Sequence, residues 1–451
     1  MLRECKKALD ELHKPSLYLD VSVSVSEIGS HFEGSGKIGE ALKQISKFFN
    51  SKVKFSFNGT TQSVRITSLA VKLSGIGKLV LIPPFHMSVV NSACVLGFKL
   101  SPVCPEERDY ILEYDTLIPP RLEVVKQYLR AVEGACAVWV TSPVYGGVKV
   151  KQAYLNEVRG ELERDGLLLL DNAWGFGRLE YGGFDIAVRS SHKLDGAPQP
   201  ASVIIIEKNS RVSRFVDLAY LMTETTSPPF HIAFETARVY GVYLKTRLEE
   251  CVRGLAEAVI NKLKEIGLSV LTNEELERKL GGDSQYYDLD PVQVMVNVGK
   301  KNGFSVKQLL EKRGIFLERA GPRSVELLVT INLLDEYAKS EDVLSTLAEE
   351  ISTAIDSADD REVDPRPVYN FKIVEIPTKI AFVPLDDAEG EIAAAPLVPY
   401  PPGIPVVVPG ARLTKEVISY IRDILQLGGH VEGFVESNLV AVAAKTSEAP
   451  V

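Results

Sequence analysis

The segment SSHKLDGAPQPASVIII, residues 190–206, joins a loop rich in Ser, Gly and Pro to a short apolar run, VIII. Such a run is typical of a strand that is covered on both faces of a sheet. Lys193 in the loop is therefore expected at the rim of a buried sheet, where desolvation lowers the pKa of the amine and lets it form an imine with an aldehyde. Taken alone, a lysine in a loop is more often a solvated surface residue.

Three similar apolar runs precede this segment in the chain, LVLI at 79–82, AVWV at 137–140 and LLLL at 167–170. From about residue 36 to 260 these runs alternate with amphipathic helical stretches. Apolar runs that are separated by helical lengths indicate strands of a mainly parallel sheet with helices on both faces. The sequence therefore predicts an α/β fold.

The second half of the chain has a different pattern. Long helical stretches with two strand-like runs, VQVMVNV at 292–298 and VELLVTI at 325–331, predict a smaller α+β domain. The acidic stretch DSADDREVDPRP, 356–367, predicts a solvated linker, and eight prolines from Pro377 to Pro409 predict a small, extended C-terminal module. The expected units are an N-terminal arm, a large domain, a small α+β domain and the C-terminal module, at residues 1–35, 36–245, 246–357 and 368–451.

The composition of the 451-residue chain is that of an ordinary globular protein, with 45% hydrophobic and 25% charged residues. The formal net charge of -9 provides no positive field for nucleic acid. No uninterrupted apolar stretch is long enough to span a membrane, and the N-terminus MLRECKKALDELHK has mixed charge where a secretion signal needs an apolar stretch. We therefore expect a cytoplasmic protein. The cysteines are odd in number and never spaced as CxxC, which predicts reduced, mostly buried thiols and no metal site at Cys5, Cys94, Cys104, Cys136 and Cys251.

A carboxylate follows one of the predicted strands, because the run LLLL ends at Asp171. The carboxyl edge of an α/β sheet is where ligands bind, and a charge at that edge needs a partner. If the aldehyde is pyridoxal phosphate, the partner is the pyridine nitrogen of the cofactor, which the carboxylate keeps protonated. Without Lys193, an N-cap on the following turn is an equally good interpretation of Asp171.

Two further segments place candidate cofactor contacts at strand ends. In FNGTTQSV, residues 57–64, Gly59, Thr60 and Thr61 precede a helix. The free amides and hydroxyls of a helix start suit a phosphate, although an ordinary capped helix is the more common case. In LVLIPPFHMS, His86 follows a strand, where its imidazole could stack on a flat ring. A lone loop histidine is more often exposed than functional.

These four segments, in the order in which they occur along the chain, resemble the pyridoxal-phosphate enzymes of the Orn/Lys/Arg decarboxylase family, which have the aminotransferase-like (type I) fold. The resemblance runs from about residue 34 to 436. It implies a large domain with a mainly parallel seven-stranded sheet and pyridoxal 5'-phosphate as the cofactor. The cofactor-binding residues that it implies are Asn58, Gly59, Thr60, Thr61, His86, Asp171, Ala173, Ser190, His192, Lys193, Thr226 and Ser227.

The roles of these residues follow from the motifs that they match. SSHK is similar to the SxHK motif of the family, which implies that Lys193 forms the Schiff base and that His192 lies near the phosphate. The run DNAW, which begins at Asp171, resembles the D-E-A-H motif, which places Ala173 against the ring. NGTT at 58–61 resembles the NGTS-like phosphate loop, and the PPFHMS stretch matches the context of the stacking histidine.

Three other stretches strengthen the resemblance. TSPVYGG at 141–147 looks like the TNPTYDG motif of the family, and TETTSPPFHIAFETAR at 223–238 looks like a segment whose hydroxyls reach the phosphate of the neighbouring subunit. Thr226 and Ser227 are therefore candidates that act in trans, in a homodimer with shared active sites. The stretch at 388–414 contains YPPGIP, which belongs to these decarboxylases rather than to aminotransferases at large.

The chain also departs from the family pattern. No PGHK motif occurs in LYLDVSVSVSEIGSHFEG, residues 17–34, and no N-terminal wing domain precedes the catalytic region, so large ring assemblies are not expected. Asn172 and Trp174 replace the glutamate and histidine of D-E-A-H, and Ala411 replaces the acid of a PGE motif. The resemblance thus implies intact cofactor chemistry with altered specificity groups.

The activity that the resemblance implies is decarboxylation of arginine, lysine or ornithine to the amine and carbon dioxide, with Lys193, Asp171, His86 and His192 as the catalytic residues. Glu318 in IFLERAG matches a glutamate of the family that suits a cationic side chain, although a surface glutamate is at least as good an interpretation. Trp174 is the second candidate for a substrate contact, and it either closes the pocket or packs against it. Transamination or elimination at the α-carbon, and a catalytically idle homologue, stay as alternatives.

Overall fold

The computed structural model of the chain describes residues 5–6, 10, 26–436 and 438–444. Most of the predicted N-terminal arm, residues 1–35, and much of the stretch in which PGHK is missing lie outside the described residues. The boundaries that we predicted between the four units stay a prediction.

A sheet of seven strands forms the centre of the large domain. Neighbouring strands are parallel at four of the six pairings, and the strand Ser202–Ile206 runs antiparallel to both of its neighbours. All four apolar runs that we predicted as strands belong to this sheet, so the predicted α/β fold is confirmed. In spatial order the strands are Lys52–Ser56, Ser202–Ile206, Ile186–Arg189, Leu167–Asp171, Ala137–Thr141, Lys78–Leu81 and Lys99–Pro102.

The two faces of the central sheet bury alternate residues of each strand. Leu168 and Leu170 belong to a hydrophobic core that continues into the small domain, whereas Leu167 and Leu169 belong to a second core that continues into the C-terminal residues. Burial on both faces is why the strand is an uninterrupted apolar run. The helices of the large domain are Gly36–Phe49, Gly59–Leu73, Met87–Val95, Leu122–Arg130, Gln152–Gly160, Ser213–Thr223 and Phe230–Lys245.

The small domain contains an antiparallel sheet of four strands. The two runs that we predicted as strands, at 292–298 and 325–331, form the two central strands of this sheet. The strands are, in spatial order, Ser269–Val270, Gln293–Asn297, Ser324–Leu328 and Arg319–Ala320. The helices are Leu248–Glu265, Asn273–Leu280, Gly303–Glu311, Ile331–Lys339 and Val343–Ser357. Shorter strands at Tyr110–Ile111, Thr116–Leu117, Val148–Val150 and Tyr287–Leu289 complete the body of the chain.

The stretch that we predicted as a solvated linker, residues 356–367, is attached to the small domain. The carbonyl of Asp359 accepts a hydrogen bond from the Asn302 N–H at 2.9 Å, and the carbonyl of Pro365 accepts one from Arg323 at 2.7 Å. Side chains add to the attachment, since Asp360 pairs with Lys301 at 3.0 Å and Asp364 pairs with Arg323 at 2.9 Å. Both carboxylates are exposed, so the stretch is solvated but is also held to the small domain.

The C-terminal residues form more regular structure than we predicted. A helix, Lys415–Gln426, and a sheet of three strands, Ile380–Pro384, Leu439–Ala443 and Phe434–Val435, surround the proline-rich stretch, and Val398–Pro399 pairs with Val431–Glu432. The prediction of an extended module was therefore wrong in part. The prolines occupy turns and strand ends between these elements, where a missing N–H costs nothing.

Cys5 and Cys251 form a disulfide in the structure. The prediction that every cysteine is a reduced thiol was therefore wrong for this pair, since 246 residues separate the two and no spacing in the sequence marks them as partners. Cys94, Cys104 and Cys136 are free, and only Cys136 is buried. Among the described residues, no cluster of three or more His, Cys, Asp or Glu is placed to hold a metal. No described helix is long and apolar enough to cross a membrane.

Candidate active site

A cleft of about 310 Å³ opens at the carboxyl ends of the parallel strands, the edge at which α/β sheets carry their ligands. The residues that line it come from loops after different strands and from the proline-rich stretch. The structure brings ten of the predicted site residues together in its walls. They are Gly59, Thr60, Thr61, His86, Asp171, Ala173, Trp174, Ser190, His192 and Lys193.

Lys193 projects its amine into this cleft. The Nζ atom lies 3.7 Å from the centre of the Trp174 ring, a distance at which a cation and an aromatic face attract each other. Burial lowers the pKa of the amine, and the carboxylates of Glu318, Asp171 and Glu326 oppose that change. Lys193 is therefore a desolvated amine, as we predicted from its position before an apolar strand, and not a surface lysine.

Asp171 is the last residue of the strand Leu167–Asp171 and is 3% exposed. Its Oδ1 accepts a hydrogen bond from the Ala173 N–H at 3.0 Å. Burial raises the pKa of the carboxyl, because few groups around it replace the lost water. No described helix begins directly after Asp171, so this residue is not a helix cap, and its bond to the Ala173 N–H closes only a turn. Asp171 lines the cleft.

The helix Gly59–Leu73 begins at the cleft with Gly59, Thr60 and Thr61 in its first turn. Asn58 precedes the helix but makes no side-chain cap bond to the described residues of its first turn. Its amide lies 3.4 Å from a carboxylate oxygen of Glu224 instead. The first-turn amides, which a helix cannot satisfy internally, are therefore free to bind an anion.

His86 follows the strand Lys78–Leu81 and caps the helix Met87–Val95. Its Nδ1 accepts a hydrogen bond from the Ser88 N–H at 3.2 Å. Burial, with a smaller effect of the Lys193 charge, lowers the pKa of the imidazole to about 4. The ring is therefore neutral near pH 7, and it is half-buried rather than exposed.

His192 is held on the other side of Lys193. Its Nδ1–H donates to the carbonyl of Ala201, at 2.8 Å, which fixes the orientation of the ring. Burial lowers the pKa of this imidazole. The hydroxyl of the fully buried Ser190 lies 3.2 Å from the same Nδ1 atom.

Four predicted residues do not line the cleft. Thr226 and Ser227 are exposed in the loop after the helix Ser213–Thr223, so they do not contact the site of their own chain. Glu318 is half-buried and is near enough to Lys193 to act on it electrostatically, and burial followed by the Glu326 charge raises the pKa of Glu318. Asn58 lies at the edge of the cleft, beside the residues that line it.

The sequence missed several residues of the cleft. Tyr145 packs edge-on against Trp174 with ring centres 5.0 Å apart, and Tyr400 reaches the cleft from the proline-rich stretch. Thr141 pairs with Asp171 in the sheet, and its buried hydroxyl has no partner among the described residues. Glu326 does not line the cleft; it is 1% exposed and pairs with Arg319 at 3.0 Å, and a lone charge in the apolar run VELLVTI was the signal of this buried pair.

Asn172 does not line the cleft, although we expected it to alter specificity. Its amide donates to the carbonyl of Ser142 at 2.6 Å, and its Oδ1 accepts from Arg189 at 2.5 Å. The residue therefore points away from the ligand space and into a buried network, whereas Trp174 faces the cleft.

The chain matches two models of protein families, "Orn/Lys/Arg decarboxylase, major domain" over residues 9–335 and "Orn/Lys/Arg decarboxylase, C-terminal domain" over residues 352–446. It is 26% identical to the uncharacterized protein YaaO of Bacillus subtilis (strain 168), over 93% of this chain and 88% of that protein. It is 24% identical to the arginine decarboxylase of Bacillus anthracis, over 91% and 85% of the two chains.

The structure is similar to that of the constitutive lysine decarboxylase of E. coli, with a TM-score of 0.69 and 20% sequence identity, over 94% of this chain and 75% of that chain. It is less similar to a NifS-like protein, with a TM-score of 0.51 and 16% identity, over 76% and 95% of the two chains. These likenesses show the fold, and they confirm the type I architecture that the sequence implied.

Proposed function

The chain belongs to the Orn/Lys/Arg decarboxylase family, whose members are amino-acid decarboxylases that depend on pyridoxal phosphate, and we propose that it decarboxylates arginine, lysine or ornithine. The observation that carries this proposal is the desolvated amine of Lys193, which shares one cleft with the carboxylate of Asp171. The four segments in which the sequence suggested cofactor contacts all reach this cleft.

Three features of the cleft fit pyridoxal phosphate. The uncapped start of the helix Gly59–Leu73 can bind the phosphate. The buried Asp171 can hold a proton on the pyridine nitrogen. The hydroxyl of Thr141 beside it, which has no partner among the described residues, offers a further polar contact. Bound pyridoxal phosphate supplies an electron sink for the electron pair that a departing carboxylate leaves on the α-carbon.

The residues of this chain would then orient the substrate and move its protons. His86, neutral near pH 7, can pack against the flat cofactor without adding charge. Lys193, whose pKa is lowered, or His192 can return a proton to the α-carbon. Glu318 is the candidate for the negative charge that a cationic substrate side chain needs, and it influences Lys193 electrostatically. Glu326 is paired with Arg319 at 3.0 Å, so its charge is already compensated within the protein.

The test is product analysis by mass spectrometry after incubation with pyridoxal phosphate and each of the three amino acids. We expect the amine that has lost carbon dioxide from one of them, and no covalent cofactor in Lys193→Ala after borohydride reduction. Lys301→Ala, which changes a lysine of the small domain, is the control and should keep both the amine product and the covalently bound cofactor. A keto acid or an elimination product would support the alternative chemistry, and bound cofactor with no product would indicate an idle homologue.

A further inference from the structure

Arg189 and Asp195 form an ion pair behind the cleft that is fully enclosed by protein, with side chains 1% and 0% exposed. Arg189 donates from Nη2 to Oδ1 at 2.8 Å and from Nε to Oδ2 at 2.9 Å, so the pair is bidentate. Such a fork fixes the relative orientation of its two partners as well as their distance. Neither side chain lines the cleft.

The ion pair connects the segment that follows Asp171 to the loop that carries Lys193. Arg189 also donates to Oδ1 of Asn172 at 2.5 Å, next to Asp171, and to the carbonyl of Gly177 at 3.0 Å.

On the other side, Asp195 accepts from the hydroxyl of Tyr240 at 2.8 Å. The same hydroxyl lies 2.8 Å from Oγ of Ser191, two residues before Lys193. One network therefore holds the segment after Asp171 and the loop of Lys193.

We propose that Arg189 and Asp195 are positioning residues that fix the separation of Asp171 from Lys193. The inference rests on the proposed function, because it takes Asp171 and Lys193 as the groups that hold the cofactor.

A role in stability alone does not account for the arrangement. Apolar residues of similar volume often stabilise a core as well as a buried ion pair does, because burying two charges costs solvation. The surroundings are also shaped for this guanidinium, since a Cβ atom at Gly175 would overlap both Arg189 and Asn172. A residue that only filled the core would need neither the bidentate bond to Asp195 nor the bond to Asn172.

The test uses Arg189→Lys, which removes the fork but keeps the charge, and Asp195→Asn, which keeps the shape. For each variant we expect the Kd for pyridoxal phosphate to rise about ten-fold, as for the loss of one hydrogen bond to a charged group. We expect kcat to fall by about 100-fold with KM within three-fold, since misplacement by about 1 Å costs that much.

A spectroscopic measurement separates positioning from stability. If Asp171 no longer protonates the pyridine nitrogen, the ring withdraws less charge, and the nitrogen that joins Lys193 to the cofactor keeps its proton to higher pH. The pH midpoint of the cofactor absorbance should therefore rise by about one unit in the variants. Arg323→Lys and Asp115→Asn alter a second buried ion pair, at 2.9 Å, and should leave the midpoint unchanged.

Two outcomes would overturn the proposal. One is that Arg189→Lys and Asp195→Asn lower the melting temperature of the cofactor-free protein as the controls do, yet keep the wild-type midpoint and Kd. The other outcome applies if neither variant folds. Asn172→Ala, which removes a single acceptor of Arg189, is then measured instead, and a wild-type midpoint with a wild-type Kd in this variant would overturn the proposal. The midpoint and the Kd are measured without an amino acid, so failure of the proposed decarboxylation would not be mistaken for failure of this inference.

Discussion

His86, in the wall of the cleft, makes the stability of the folded protein depend on pH. The pKa of its imidazole is about 4 in the folded chain, against an ordinary value of 6.5. Between these two pH values the unfolded chain binds a proton at this residue and the folded chain does not, so unfolding becomes easier as the pH falls. The contribution of His86 to stability is therefore complete above pH 6.5 and is lost as the pH falls towards 4.

We expect His86→Asn to remove about 2 kcal/mol of the difference in free energy of unfolding between pH 7 and pH 5. Asparagine is neutral at both values and is itself a favourable N-cap, so the helix Met87–Val95 keeps its first turn. Urea unfolding of the cofactor-free protein at the two pH values measures this difference. His430→Asn changes an exposed histidine and serves as the control. An unchanged pH dependence in His86→Asn would contradict the pKa argument.

The proline-rich stretch acts at the scale of an element, because it closes one wall of the cleft. Gly403 in this stretch has a φ of +84°, and its carbonyl accepts a hydrogen bond from the Met87 N–H at 2.9 Å. A Cβ atom at Gly403 would lie 2.8 Å from two atoms of the His86 ring. The position therefore needs glycine for its conformation and for its contact with the imidazole.

Gly403→Ala should destabilise the protein by about 2–4 kcal/mol and weaken the binding of pyridoxal phosphate, because the His86 ring must shift. Gly390→Ala is a matched control, since Gly390 has the same φ of +84° and no described residue lies within 4 Å of its Cβ position. It should lose only the roughly 1–2 kcal/mol of a left-handed residue and keep cofactor affinity. Thermal unfolding and fluorescence titration measure the two effects, and equal losses in both variants would refute the role of the contact.

Across the whole molecule, the sequence predicted what depends on local pattern. Lys193, Asp171 and His86 each adjoin an apolar run, so their place at one edge of a parallel sheet could be inferred. Contacts between distant segments could not be inferred. The approach of Tyr400 to the cleft, the Arg189 bond to Asn172 and the disulfide all depend on how separate elements pack, and no spacing along the chain encodes that packing.

An exposed apolar face of the large domain is a candidate contact between two chains. The helix Ser213–Thr223 exposes Leu218, Leu221 and Met222 at 44%, 60% and 60%, directly before the exposed Thr226 and Ser227. If a second copy covers this apolar face, the two hydroxyls can reach the cofactor of the partner, which would explain why they lie outside their own cleft.

Leu221→Lys should then reduce the mass measured by light scattering to that of one chain, 49.6 kDa, and weaken the binding of pyridoxal phosphate in the same preparation. Val95→Lys places the same charge on another exposed apolar residue, 86% exposed on the helix Met87–Val95, and should change neither value. If the wild-type chain is a monomer that binds the cofactor at full affinity, the phosphate must be held within one chain, and Thr226 and Ser227 have no part in it.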